Sequence, residues 1–127
     1  MKIRIYVESV VGSVTGFFVG FHPLVQALVA LMILDILSGL LAGYVTRTLD
    51  SAVSARGMAK KVFALILVAA AYVVASFVGL GIDLGPIVAG FYCVHELLSL
   101  VENAGRAELP VPKALLDALA KLQQKYP

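Results

Sequence analysis

The sequence predicts an all-α protein that crosses a membrane, with three to four transmembrane helices and a short amphipathic cytoplasmic helix at its carboxyl end. Three observations predict this. Of the 127 residues, 61% are hydrophobic and only 14% charged, more apolar mass than so short a chain can hide in a water-facing core. From Val62 to Ile82 no charge interrupts the chain, and as a helix that run reaches roughly 31 Å, about the hydrocarbon thickness of a bilayer. The basic residues gather beside apolar runs, and a net charge of +2 is too slight to point to nucleic acid. The lipid bilayer is the expected partner.

Taken in order, residues 5–22 are apolar but short, carry Glu8 and end at the helix-breaking His22-Pro23 step. This segment could cross or lie flat, and crossing is the favoured reading. Gly12, Gly16 and Gly20 recur every four residues, which would leave one helical face bare for close packing in lipid. Lys2 and Arg4 resemble the basic start of a signal peptide, but no clean small-residue cleavage site follows.

Residues 24–46 form a second span whose sole ionisable side chain besides Tyr44 is Asp35. A basic loop over 47–61 follows, then the uncharged span 62–82. Glycines and Pro86 in the stretch from Gly79 turn the chain into a last span, 84–101, interrupted by His95 and Glu96. A transmembrane domain over 1–104 is thus expected, with a cytoplasmic tail over 105–127. In that tail Leu115, Leu119 and Leu122 stripe a short helix among Lys113, Asp117, Lys121 and Lys125, suited to dock on the bilayer surface or on a partner.

Orientation follows from charge. Arg47, Arg56, Lys60 and Lys61 stand against Asp50 in the loop, whereas the turn near Asp83 holds no basic residue. The loop therefore belongs in the cytoplasm, and the tail with it. These four residues are expected to fix topology and to meet anionic headgroups. If the first segment crosses, the amino terminus is also cytoplasmic.

The informative residues are the intramembrane acids, because a charge at mid-span costs about 2.5–3.5 kcal/mol. Asp35 lies 11 positions beyond Leu24 and Glu96 lies 12 beyond Leu84, on helices that run the same way. Their depths should coincide, roughly 17 Å from one face. A polar layer of Asp35, Glu96 and His95 is expected, as a structural hydrogen-bonded cluster, as protonated carboxyls that hold helices together, or as the lining of a pore. Small residues mark contact faces for packing within or between copies: Ser38 with Ala42, Gly39 with Gly43, and the set Ala71, Ala75 and Gly79. Packing inside one copy and contacts in a homo-oligomer are equally open on that basis.

Cys93 is alone, so no intrachain disulfide is available, and it reads as a small buried hydrophobe. No phosphate-binding loop, dinucleotide glycine pattern, metal-ligand spacing or nucleophile elbow occurs. No catalytic residue, cofactor or metal is expected, and the chain does not read as an enzyme.

Three stretches carry a family resemblance. They are LMILDILSGLLAG at 31–43, SAVSARGMAKKVFALILV at 51–68 and HELLSLVENAGRAELPVPKALLDALAKL at 95–122. Together they resemble the toxin-secretion and phage-lysis holin family over about 100 residues. Asp35 with Ser38-Gly39 is similar to that family's Asp followed by Thr or Ser and Gly. Arg56-Gly57 with Lys60-Lys61 is similar to its basic motif. Glu96, Ser99, Glu102, Asn103 and Ala104, followed by Pro110 and Pro112, are similar to its most distinctive run. Leu100, where isoleucine is expected, and the His22-Pro23 step depart from the pattern.

The resemblance implies a protein that accumulates in the bacterial inner membrane, self-associates and forms lesions that pass an endolysin or a toxin, with no direct binding of that cargo implied. Two other readings stay open. One is a small transporter or channel for a defined solute; the other is an antiholin or regulatory membrane partner with the same topology.

Overall fold

A charged cap sets where the longest helix begins. Asp50 accepts hydrogen bonds from the backbone N–H groups of Ala52 and Val53 at 2.8 and 3.3 Å, which satisfies two donors that a helix start leaves free. The computed structural model describes residues 1–126, the side chains at 14, 15, 17 and 18 excepted, so Pro127 of the expected tail lies outside the described residues. Five helices follow one another: α1 (Lys2–Val19), α2 (Pro23–Thr46), α3 (Ser51–Val78), α4 (Leu84–Arg106) and α5 (Lys113–Lys125). The chain is all-helical over the described residues, and α2, α3 and α4 are each long and apolar enough to cross a membrane.

The boundaries differ from the sequence reading in ways the caps explain. Because Asp50 starts α3, the expected basic loop over 47–61 contracts to residues 47–50, and Arg56, Lys60 and Lys61 stand on the first turns of a helix. At the other end α3 stops at Val78, where Gly79 takes a left-handed φ of 62°; glycine adopts that conformation without strain and so ends the helix. Gly79 is exposed and acts as a cap rather than as part of a packed face, whereas Ala71 of the same expected set is buried and Ala75 half-buried. The last span runs on to Arg106.

Helix α4 sits between α2 and α3. It runs parallel to α2, with Cys93 Sγ donating to the Leu24 carbonyl and Asn103 reaching Asp35. It runs antiparallel to α3, with Gly85 against Tyr72 and Glu96 against Lys61. A Cβ on Gly85 would fall on the Tyr72 ring, so glycine is what lets the two helices close at that end. Leu28, Met32, Ala64, Val68, Ala89 and Cys93 form the core where the three helices meet. Outside it the order of a soluble protein is inverted: Leu41, Phe63, Ile66 and Phe77 are exposed, apolar surface of the kind that faces lipid.

Helix α1 stands apart. Gln26 Nε2 ties its end to α2 by donating to the Val19 and Phe21 carbonyls at 3.3 and 3.1 Å, and His22 Nδ1 caps α2 by accepting from Leu24 N–H. Gly12 and Gly16 have open space where a Cβ would point, and Gly20 is exposed, so Gly12 and Gly16 meet no neighbour among the described residues.

The carboxyl end does not hang free. After Pro110 and Pro112 the chain doubles back, and α5 packs along α4 with Leu119 buried. Tyr126 lies where a Cβ on Gly90 would be, 2.5 Å from its ring. A Gly90→Val substitution should therefore displace Tyr126 and release α5. The check is limited proteolysis in detergent: cleavage at Lys113, Lys121 and Lys125 should speed up at least severalfold while the α2–α4 fragment stays intact.

Candidate functional site: a buried charge triad

Three helices each contribute one charged side chain to a single ion cluster. Lys61 Nζ donates to Asp35 Oδ2 at 2.5 Å and to Glu96 Oε2 at 2.7 Å. The side chains of Asp35 and Glu96 are 8% and 10% exposed and that of Lys61 16%. Counted from the helix ends nearest the α2–α3 connection, Asp35 lies 11 positions from Thr46, Lys61 10 from Ser51 and Glu96 10 from Arg106, each roughly 15 Å along its helix.

The neighbouring turns are ordered as well. Met32, Ala64 and Cys93, each three positions away on the side of the apolar core, are buried. On the other side Ser38, Gly57 and Ser99 are half-buried. The charges thus sit at the border between a dry half of the bundle and a polar half.

Asn103 extends the site toward the connection. Its Nδ2 donates to Asp35 Oδ1 at 3.0 Å and to Ser38 Oγ at 2.9 Å, and Arg106 Nη1 donates to its Oδ1 at 3.4 Å. Ser38 Oγ itself donates to the Asp35 carbonyl at 3.0 Å. Gly39 lies against Asn103, where a Cβ would stand 3.6 Å from Nδ2 in ordinary contact. Replacing Asn103 by Ala would leave a buried carboxylate oxygen without that donor, at about 1–3 kcal/mol. Thermal unfolding in detergent should show the α2–α4 unit weakened by that amount, with Asn103→Asp worse than Asn103→Ala because it sets a second carboxylate against Asp35.

Two cavities border the triad. One, of about 260 Å3, is lined by Asp35 and Lys61 together with Thr48, Ser54 and Asn103 and runs toward the connection. The other, of about 360 Å3, lies between α3 and α4, where Lys60, Tyr92, His95 and Ser99 surround Lys61 and Glu96. Both are roomy and polar enough for water.

Several expected site residues are thus brought together and others are not. Asp35 and Glu96 meet on one ammonium. His95 is exposed; its ring stacks against Phe91 at 4.6 Å between centroids, and it lines the second cavity without joining the hydrogen bonds of the triad. Lys61, expected among the headgroups, is instead the cation that the two acids share. Arg56 and Lys60 are exposed on α3. Arg47 is exposed too, and its backbone ends α2 in a left-handed conformation with φ of 55°. Ser38 and Asn103 serve the triad directly, Ser99 lines both cavities, Glu102 is exposed and Ala104 half-buried. Ala42 is buried, and Gly43 packs under Leu49.

An inside-out bundle with ionisable groups fixed in its interior defines a class: a multi-pass membrane protein built around an intramembrane polar site. The particular family follows from comparison. The bacteriophage holin family matches residues 12–124, which include the whole triad and Asn103, and this chain belongs to that family, whose members are non-enzymatic membrane proteins. Similar chains include an uncharacterized protein of Halalkalibacterium halodurans, 36% identical over 79% of this chain and 78% of its own length. An uncharacterized protein of Listeria innocua is 37% identical over 76% of this chain and 69% of its own. In Clostridium perfringens an uncharacterized 14.9 kDa protein encoded in the nagH 3′ region is 31% identical over 72% of this chain and 70% of its own. No solved structure matches the chain.

Proposed function

We propose that this protein is a holin: it assembles as a homo-oligomer in the bacterial cytoplasmic membrane and opens lesions through which an endolysin or a toxin leaves, ending in lysis of the host cell. The observation that carries this reading is the charge triad inside a bundle whose outer surface is apolar, in a chain of the holin family. Within one copy the two acids share one ammonium and are buried. Assembly of several copies can turn the same polar half outward to a shared aqueous wall, because small-residue faces bring helices together without any hydrophobic drive in lipid.

Topology in this reading places the α2–α3 connection and both termini in the cytoplasm, with α1 as a fourth span and its glycine face as a contact between copies. Arg47, Arg56 and Lys60 lie at the cytoplasmic headgroups. On insertion α5 exchanges between its docked position on α4 and the membrane surface, and Gly90→Val shifts it to the surface. Docked, it would carry Asp117, Lys121 and Lys125 alongside a span, each at up to about 2.5–3.5 kcal/mol near mid-depth, whereas at the interface its charges stay in water and its leucines in lipid.

Regulated expression in a bacterium that also produces a cytoplasmic endolysin tests the function. Abrupt loss of membrane potential followed by endolysin release and lysis is the expected result. Steady growth would assign an antiholin or regulatory partner instead, and a selective leak from an otherwise sealed membrane would assign a small transporter or channel.

A further inference from the structure

We propose that the Asp35–Lys61–Glu96 triad is a proton-binding site that holds one proton, on Glu96, in exchange with water from the end of the bundle where α2 joins α3. The charge count requires a compensating ion: two carboxylates face one ammonium, leaving one negative charge uncompensated in a low-dielectric interior, where a net charge is costly. The hydrogen bonds say which acid takes the proton. Asp35 accepts through both oxygens, Oδ2 from Lys61 and Oδ1 from Asn103, so each of its oxygens already has a donor. Glu96 accepts once, through Oε2 from Lys61, so Oε1 is the atom left to bind a proton delivered by hydronium, which departs as water.

The surrounding groups do not cancel the charge. From α3, Lys60 lines the cavity beside Glu96 but is exposed. From α4, His95 and Tyr92 line it too, His95 exposed and in contact with the Phe91 ring, while Cys93 lies a turn below among apolar neighbours. Arg106 is exposed and hydrogen-bonds Asn103 and Thr48 without pairing to either carboxylate, and Asp50 on the α2–α3 connection would add negative charge. From α5 the side chain fixed against α4 is Tyr126, at Gly90. The route for the proton is set by the first cavity, which runs from the triad to the α2–α3 connection, while the second opens between α3 and α4 with Ala64 and Tyr92 at its apolar edge.

The full chain in phosphatidylethanolamine–phosphatidylglycerol vesicles at neutral pH, read by infrared spectroscopy, decides the matter without reference to lysis, so its failure would leave the lytic reading standing. Exposed acids are ionised there and silent in the protonated-carboxyl band. The expected result is one such carboxyl per chain in the unmodified protein and none in Glu96→Gln. Asp35→Asn should also show none, because the remaining acid then forms a neutral pair with Lys61. Lys61→Gln should double the band, and Lys61→Arg, which keeps charge and fold, should leave it at one. An unmodified protein with no protonated carboxyl, or a band that survives in Glu96→Gln, would overturn the proposal.

Discussion

Removing the Lys61 ammonium should cost this protein more than any other single change. Lys61→Met leaves Asp35 and Glu96 facing one another with no cation between them, and breaking a buried ion pair by deleting one partner costs about 3–5 kcal/mol. For a three-helix unit that is a large part of total stability. The variant should fail to accumulate in the membrane or should unfold at a markedly lower temperature in detergent. The sharper prediction concerns its reversal. Asp35→Asn with Glu96→Gln strands the ammonium and should be about as damaging, whereas the triple variant carrying Lys61→Met as well has no charge left to strand and should recover most of the loss. Unfolding temperatures across this cycle check it: if the losses of the Lys61 variant and of the double acid variant simply add in the triple, the residues do not act as one unit.

The second large effect belongs to Leu28, which is wholly enclosed at the meeting of α2 with α4 and α3. In a soluble protein Leu→Ala at such a site costs about 2–5 kcal/mol, the sum of lost transfer energy and an unfilled cavity. In lipid the separated helix also keeps its leucine in an apolar medium, so the transfer part largely vanishes and the packing part remains. The expected loss for Leu28→Ala is therefore near the lower end, about 2 kcal/mol. Leu41→Ala, at an exposed lipid-facing position on the same helix, should change little. Unfolding in mixed micelles with increasing denaturing detergent measures both, and equal effects at the two positions would place the core elsewhere.

The contrast between these sites shows what the sequence could reveal. The spans were legible because hydrocarbon has one thickness and the uncharged runs match it. The kinship of Asp35 with Glu96 was legible too, because two helices separated by a single span run the same way and depth can be counted from their ends. Lys61 was hidden by its neighbours: beside Lys60 and a few positions from Arg56, it reads as one more basic residue at a membrane edge. The signal that could have found it is Asp50, whose capping of Ala52 and Val53 starts α3 early and carries Lys61 to the depth of the two acids.

Asn103 was obscured in a similar way. In sequence it stands before Ala104-Gly105 as a helix stop, and only the parallel packing of α2 on α4 brings it to Asp35. The return of α5 depends on Tyr126 finding the bare backbone at Gly90, a contact between positions that no local pattern links. Periodicity and charge thus disclose what lipid selects, while the pairing of helices, fixed by single glycines and single polar groups, becomes visible only in three dimensions.

The most direct test of a cation shared by two acids within the membrane is solid-state NMR of the full chain in lipid bilayers, with nitrogen-labelled lysine and carboxyl-labelled aspartate and glutamate. Short-range transfer should connect the Lys61 Nζ to one aspartate and one glutamate carboxyl, and the two signals should vanish separately in Asp35→Asn and Glu96→Gln. A Lys61 ammonium that couples to neither carboxyl and exchanges its protons freely with bulk water would contradict the account.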